Sequence, residues 1–252
     1  MLFLFFIRAA EDAHLTGKHG QLQPFLTMLS TSPKILHGTK QGGFWENTVG
    51  IKERLLCHDC EQKFQKNETY VRNLLYGNAS QPLQKIKIGD FLDGIRSSEV
   101  EDLIEARKAN VDYKRLKLFQ MSILWRAGIA QGPFFKEVNL GDFHEEKLRK
   151  LLDTENPGLA TEYPCTMFDL RLNGNGCEAG IGQPRRSMGN HQRNYLFIMG
   201  GYAYSFIVSK QIPRPGAQLC CVKPSGEMTI LVRDAKQLFR PWAVAFHKAG
   251  QI

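Results

Sequence analysis

The stretch DYKRLKLFQMSILWRAG, residues 112–128, carries the most regular apolar pattern in the chain. Leu116, Phe119 and Ile123 recur at intervals of three or four residues, as they do on one side of an amphipathic helix. Gly128 stands where a helix commonly ends. The pattern therefore predicts a helix that begins at residue 112 and anchors the core.

Further helices are predicted on both sides of this one, at residues 60–75 and 143–152. Asp59 is placed to cap the first, and the Asn-Pro-Gly run at 156–158 stops the second. Residues 97–109 are rich in charged helix-forming residues and predict a short charged helix.

The last third of the chain changes to the patterns of strands. Strands are predicted at 165–172, 195–199, 202–208 and 228–232, followed by an apolar element at 238–247. Two earlier strands are expected at 52–56 and 83–88, and residues 1–50 show little periodicity. Helices in the middle with strands grouped at the end predict an α+β fold, containing mixed helices and antiparallel strands.

The length and charge of the chain limit its organisation and partners. A chain of 252 residues can form one large domain or two modest ones, and we divide it at 1–76 and 77–252. The chain has 33 Lys and Arg against 25 Asp and Glu, a net charge of +8. Such an excess favours acidic partners, above all DNA or RNA, but it does not define a site.

The cysteine content and the apolar segments bear on the compartment. Six cysteines are too few for a disulfide framework, which favours a reducing cytoplasm. The apolar start, residues 1–8, lacks the basic region of a signal peptide. Residues 196–208 are interrupted by two glycines and are too short to cross a bilayer. We therefore expect a cytoplasmic protein with no membrane segment.

The stretch LLCHDCE, residues 55–61, contains the C-x-x-C pair Cys57 and Cys60. A tight turn of this spacing can place two thiolates about 2.3 Å from one zinc ion. Tetrahedral zinc needs two more ligands, and no second C-x-x-C exists in the chain. Two alternatives are a pair without metal and a thioredoxin-like redox pair, although the latter requires a βαβ unit that the pattern here does not predict.

Other histidines and cysteines are candidates for the missing ligands. His14, His19 and His37 precede the pair, but their flanks resemble loops. Cys165 and Cys177 have a spacing that matches no metal pattern. The sequence therefore predicts an incomplete zinc site at most.

Three arginines outside this pair are candidates for function. Arg126 follows Trp125 at the end of an apolar helix, where it is expected to bind a carboxylate or a backbone carbonyl, with ligand binding as the alternative. Arg185 and Arg186 lie in a Gly-rich segment, 173–190, predicted to be a loop. This segment lacks the G-x-x-x-x-G-K-[S/T] pattern of a phosphate loop. Its arginines could contact nucleic acid.

The stretch KERLLCHDCEQKF, residues 52–64, resembles the second knuckle of HNH-like, zinc-binding bacterial proteins of treble-clef fold. One branch of these proteins combines a KE-K/R-LLC-x-x-CE knuckle with LFQ-x-S-I-L-W-R and PFF-x-E-V-x-L segments. This chain has the last two at 118–126 and 133–140. The resemblance covers about residues 28–170. Members of the branch also begin with a first C-x-x-C and a Ser-His-Ile-Ile-Pro segment, which this sequence lacks.

The resemblance implies a zinc-knuckle ancestry more than a nuclease activity. An HNH site uses a histidine as general base and a divalent ion at the scissile phosphate. Lys52 occupies the position where the family has Asn, Glu61 occupies the position where it has His or Asn, and the base would lie in the absent segment. Carried over residue by residue, only Cys57 and Cys60 match, and these are structural zinc ligands.

Three hypotheses follow for the function. The first is an HNH-like, zinc-knuckle-derived protein that binds DNA or RNA through its basic surface and lacks nuclease activity in this form. The second is an HNH-type metal-dependent endonuclease with a truncated start. The third is a non-enzymatic module of phage or mobile-element origin that binds an unidentified protein.

Overall fold

A computed structural model describes residues 35–38, 44–47, 53, 55–77, 84–86, 103–171, 181–189, 192–209 and 220–233. Several sequence predictions lie outside these residues. They are the apolar element at 238–247, the first part of the Gly-rich segment, and the candidate ligands His14, His19 and Cys177.

Three α-helices and one 3₁₀ turn lie in the described residues. The helices are α1 (His58–Tyr76), α2 (Tyr113–Ile129) and α3 (Asp142–Asp153), and the turn is Pro133–Phe135. All three helices confirm sequence predictions within one or two residues. The Asp112 carboxylate accepts a hydrogen bond from the Arg115 backbone amide at 3.0 Å and so caps α2. The residue that caps α1 is Cys57, rather than Asp59 as predicted.

Nine strands in the described part of the chain form one sheet. They are β1 (Ile35–Gly38), β2 (Phe44–Asn47), β3 (Gln84–Ile86), β4 (Leu103–Asn110), β5 (Cys165–Asp169), β6 (Ile181–Gly189), β7 (Gln192–Met199), β8 (Tyr202–Val208) and β9 (Glu227–Arg233). Their order is β2-β1-β6-β7-β8-β5-β9-β4-β3. The pairs β1–β6 and β5–β9 are parallel and the other six are antiparallel. The fold class is α+β, as predicted.

The charged helix predicted at 97–109 is wrong in its described part, because residues 103–110 form β4. This strand pairs with β3 on one side and β9 on the other. Its Ala106 side chain is fully buried. Glu, Ala, Arg and Lys favour helices locally, but pairing with two neighbouring strands outweighs that preference.

The loop predicted at 173–190 is wrong in its second half, where β6 occupies Ile181–Gly189. The pairing of β6 with β7 shifts between Gly182 and Arg185. Pro184 lies in this irregular section, where a residue without a backbone amide is tolerated. Glycine and proline therefore mark an irregular strand here. The strand predicted at 52–56 is also wrong in its described part, since Glu53, Leu55 and Leu56 lie outside any strand.

The helices pack against the sheet and share its main core. Helix α2 contacts both α1 and α3, and eleven of its residues are buried. The main core combines Val71 from α1 and Phe119 from α2 with strand residues such as Met167, Phe206 and Ile230. A smaller cluster of Leu170, Ile198 and Ala203 forms separately. Elements before and after residue 76 share this sheet and core, and the division of the chain at that residue stays a prediction.

No described helix is both long enough and apolar enough to cross a membrane.

Tyr204 gives a test of the core. Its side chain is fully buried on β8, with its ring 6.1 Å from that of Phe119, and burial raises its pKa well above the usual value. Among the residues described, nothing forms a hydrogen bond with its hydroxyl. We expect Tyr204→Phe to raise the free energy of unfolding by about 1–2 kcal/mol, because an unsatisfied hydroxyl leaves the core.

Urea denaturation measures this change, and Tyr195→Phe is the matched control. The Tyr195 hydroxyl donates to the Asn139 carbonyl, so its removal should lower stability. A loss of stability in both variants would contradict the prediction for Tyr204.

Candidate functional site

The cysteine pair lies at the N-terminus of α1. Cys57 is the exposed cap residue, and Cys60 is half-buried in the first turn. The polar groups of Cys60, above all its backbone amide, lower the pKa of Cys57. The neighbouring Cys57 thiol and partial burial raise the pKa of Cys60. Cys57 is therefore the more exposed and the more readily ionised of the two thiols.

The described residues do not complete a zinc site around this pair. They contain no group of three or more His, Cys, Asp or Glu side chains placed to hold a metal ion. The His58 ring is exposed and pairs with the side chain of Gln62 at 2.9 Å. Two thiolates alone do not satisfy tetrahedral zinc.

Arg185 and Arg186 lie on β6, beyond the two residues of this strand that pair with β1. β1 pairs with β6 only at Ile181 and Gly182. Farther along, the Glu137 carboxylate accepts from Arg185 Nη1 at 2.7 Å and from the Arg186 backbone amide at 3.1 Å. Glu137 thus neutralises the charge of Arg185, whereas the Arg186 side chain is exposed.

A third arginine belongs to the same hairpin, which we call the β6–β7 hairpin (181–199). Arg193 is opposite Met188 in the register, and its Nη1 donates to the Asn139 carbonyl at 2.8 Å. Met188 is 65% exposed. The hairpin therefore carries three arginines and an exposed methionine, and two of the arginines are held in place.

The PFF-x-E-V-x-L segment supports this hairpin, a role that the sequence did not predict. Its apolar members Phe134, Phe135, Val138 and Leu140 are buried. Its polar members Glu137 and Asn139 bind the hairpin arginines. The alternation of apolar and polar residues in this segment could have indicated that one side of it is buried. It could not have identified the hairpin arginines, which are about fifty residues away in sequence, as the partners of the polar side.

Arg126 binds a carboxylate, as predicted. Its Nη2 forms a buried ion pair with Glu68 of α1. Its Nε donates to the Ser122 carbonyl at 3.3 Å, and its guanidinium lies over the Phe64 ring at 5.2 Å. The Trp125 ring is 6.3 Å from that of Phe64, as expected for a core residue. The pair joins α1 to α2.

Lys117 is a buried ammonium group that sequence reasoning missed. It is 1% exposed, and its Nζ donates to the backbone carbonyls of Glu162 at 2.6 Å and Tyr163 at 2.9 Å. Burial lowers its pKa to about 8. Burial also raises the pKa of the neighbouring thiols Cys165 and Cys221. The position of Lys117 between two leucines of an apolar helix was the feature of the sequence that could have predicted its burial.

Asp169 forms a second buried charged network. It is 2% exposed and accepts from Arg171 Nη2 at 2.8 Å and from Arg107 Nη1 at 2.9 Å. Arg171 also lies over the Tyr202 ring at 4.4 Å. Although burial opposes it, hydrogen bonding to Arg171 holds the pKa of Asp169 below its usual value. This network ties β4 to the end of β5.

No protein-family model, curated protein or solved structure matches the chain. The protein is therefore characterised by its own fold and candidate site. The chain is an α+β protein in which a cysteine pair lies at the N-terminus of the first described helix and a basic hairpin lies between β1 and β8 in a nine-stranded sheet.

Proposed function

We propose that this protein is an HNH-like, zinc-knuckle-derived protein that binds DNA or RNA through its basic surface and lacks nuclease activity in this form. The observation that carries the proposal is the exposed Arg186 beside Arg185 and Arg193 on one hairpin. The net charge of +8 supports it.

Arginine suits this role because its guanidinium can bind phosphate through two parallel hydrogen bonds. Glu137 and Asn139 hold Arg185 and Arg193 in place on the same hairpin. We infer that Arg186 supplies the largest electrostatic contribution of the three.

The absence of nuclease activity is inferred from the knuckle. Glu61 stands in the first turn of α1 at the position where the resemblance requires His or Asn. A carboxylate cannot replace a neutral imidazole or amide without changing the charge at the metal. Zinc remains part of the proposal only if ligands from outside the described residues join Cys57 and Cys60.

A cytoplasmic location belongs to the same proposal. The five described cysteines, Cys57, Cys60, Cys165, Cys220 and Cys221, are free thiols. Free thiols are typical of a reducing compartment.

Fluorescence anisotropy of a labelled DNA duplex, measured across salt concentrations, tests the binding proposal. We expect wild-type affinity to fall steeply as salt rises, because binding releases counterions from the phosphates. Arg186→Ala should reduce the slope of log K against log salt by about 0.9, the value for one phosphate contact. Arg185→Ala should have a smaller effect, because Glu137 already neutralises that charge.

Lys114→Ala is the matched control, since Lys114 is exposed at the start of α2. It removes the same formal charge as Arg186→Ala at a different place. Equal losses in the two variants would mean that net charge, and not the hairpin, drives binding. No wild-type binding at low salt would reject the proposal in favour of a protein-interaction module.

A further inference from the structure

We propose that the Arg185 guanidinium and the Arg186 backbone amide form a binding position for one phosphate of the nucleic-acid backbone, and that the Glu137 carboxylate competes with the phosphate for it. This inference rests on the nucleic-acid binding proposed above and adds how that binding is regulated. The observation that carries it is the bridge that Glu137 forms between the two donors, with N–O distances of 2.7 Å and 3.1 Å.

The two donors are chemically suited to phosphate. Arg185 Nη1 donates to one oxygen of Glu137, and the Arg186 amide donates to the other. Two N–H groups that bind separate oxygens of one anion suit a phosphate as well as a carboxylate, because each anion presents two equivalent oxygens. Arginine side chains and backbone amides are also common phosphate donors in nucleic-acid complexes. The Glu137 carboxylate therefore stands in for a phosphate.

The pairing of the sheet leaves the Arg186 amide to this role. Among the described strands β1 is the neighbour of β6 on the side away from β7, and it pairs only with Ile181 and Gly182. Arg186 lies beyond these two residues, and its amide donates to a side chain. A backbone amide that has no partner in a strand needs another acceptor, and a carboxylate or a phosphate supplies one.

The position of Glu137 depends on the packing of its own segment. The neighbouring side chains of Phe135 and Val138 are buried, and the Val138 amide donates to the Phe135 carbonyl at 2.8 Å. The Asn139 carbonyl, two residues farther on, accepts from Arg193. Loss of the Glu137 charge should therefore leave the backbone of this segment in place.

Solvent reaches both members of the ion pair, so an anion from solution can exchange with the carboxylate. The side chains of Arg185 and Glu137 are 36% and 26% exposed. An ion pair with this much contact with water contributes little net free energy. Binding of a phosphate here breaks that pair and leaves the carboxylate charge beside the phosphate. Glu137 therefore weakens binding and makes Arg185 a poor contact in the wild-type protein.

Fluorescence anisotropy of the labelled duplex, repeated with Glu137→Gln across salt concentrations, tests the competition. Glutamine keeps the shape of the side chain and removes its charge. We expect Glu137→Gln to bind about tenfold more tightly than wild type near physiological salt. The slope of log K against log salt should become steeper by about 0.9, the value for one added phosphate contact. Adding Arg185→Ala to Glu137→Gln should remove both gains.

Glu146→Gln is the matched control, because Glu146 also pairs with an arginine, Arg149, at 2.7 Å on the surface of α3. It removes the same formal charge at a different element. Equal gains in Glu137→Gln and Glu146→Gln would overturn the inference, and so would a gain that survives Arg185→Ala. Either result leaves the proposed function intact if wild type binds the duplex.

Two further outcomes separate this inference from the proposed function. Binding by Glu137→Gln without binding by wild type would support the competition and reject nucleic-acid binding by the unmodified protein. Absence of binding by both proteins at low salt would reject both proposals. Circular dichroism should show every variant folded. Glu137→Asn, which removes the same charge, replaces Glu137→Gln if that variant does not fold.

Discussion

Glu68→Gln is expected to lower the free energy of unfolding by about 3 kcal/mol, one of the two largest effects that we predict. The substitution keeps the shape of the side chain but leaves the buried Arg126 guanidinium without its counter-ion. Burial already lowers the pKa of Arg126, and Glu68 opposes that shift. Glu68 therefore offsets much of the cost of burying the charge of Arg126.

Urea denaturation of four proteins tests this prediction: wild type, Glu68→Gln, Arg126→Met and the double variant. The double variant should be more stable than the sum of the two single losses implies, because it leaves no unpaired charge. Glu146→Gln is the exposed control, since Glu146 pairs with Arg149 on the surface of α3. A Glu68→Gln loss as small as that of Glu146→Gln would contradict the prediction.

Lys117 should make the folded protein more stable as the pH rises above 8. A lysine in a salt bridge, whose pKa is raised by folding, would have the opposite effect. Its pKa is about 8 in the folded protein, against 10.5 for an unperturbed lysine, the value expected in the unfolded chain. Between these values the unfolded chain binds more protons, so the free energy of unfolding rises with pH. Below pH 8 both states are protonated and the full cost of burying the ammonium group is present.

The measurement is the difference in unfolding free energy between wild type and Lys117→Met at a series of pH values. Relative to the variant, wild type should gain about 2 kcal/mol between pH 7.5 and 9.5. Thiols and tyrosines that titrate in this range contribute to both proteins and largely cancel in the difference.

Lys114→Met is the matched control for this pH series, because Lys114 is exposed one helical turn before Lys117. Its stability should follow wild type at every pH. A flat difference between wild type and Lys117→Met would show that the buried ammonium does not titrate in this range.

The elements that depend on interactions between residues close in sequence were the easiest to predict. The α2 helix followed from the spacing of Leu116, Phe119 and Ile123, and Asp112 was in place to cap it. The strand Tyr202–Val208 matches its predicted bounds. Helical spacing and capping depend on residues within four positions, so the chain carries this information locally.

The candidate site could be predicted only in part, for the same reason. Cys57 and Cys60 were recognised from their spacing, and Arg185 and Arg186 from their charge. Neither pattern indicated that Glu137 would neutralise Arg185 and leave Arg186 exposed. Neither indicated that Cys57 would be exposed while Cys60 is partly buried.

By itself, the sequence was sufficient for the α+β class, the three helices, the positive net charge and the cysteine turn. Long-range contacts determined the rest. Residues 103–110 form a strand because β3 and β9 flank them, and Pro184 is accommodated because the pairing of β6 is irregular there. Local preferences amount to fractions of a kcal/mol per residue, whereas ladder pairing and burial of charged groups amount to several. Those larger energies depend on partners that only the folded chain brings together.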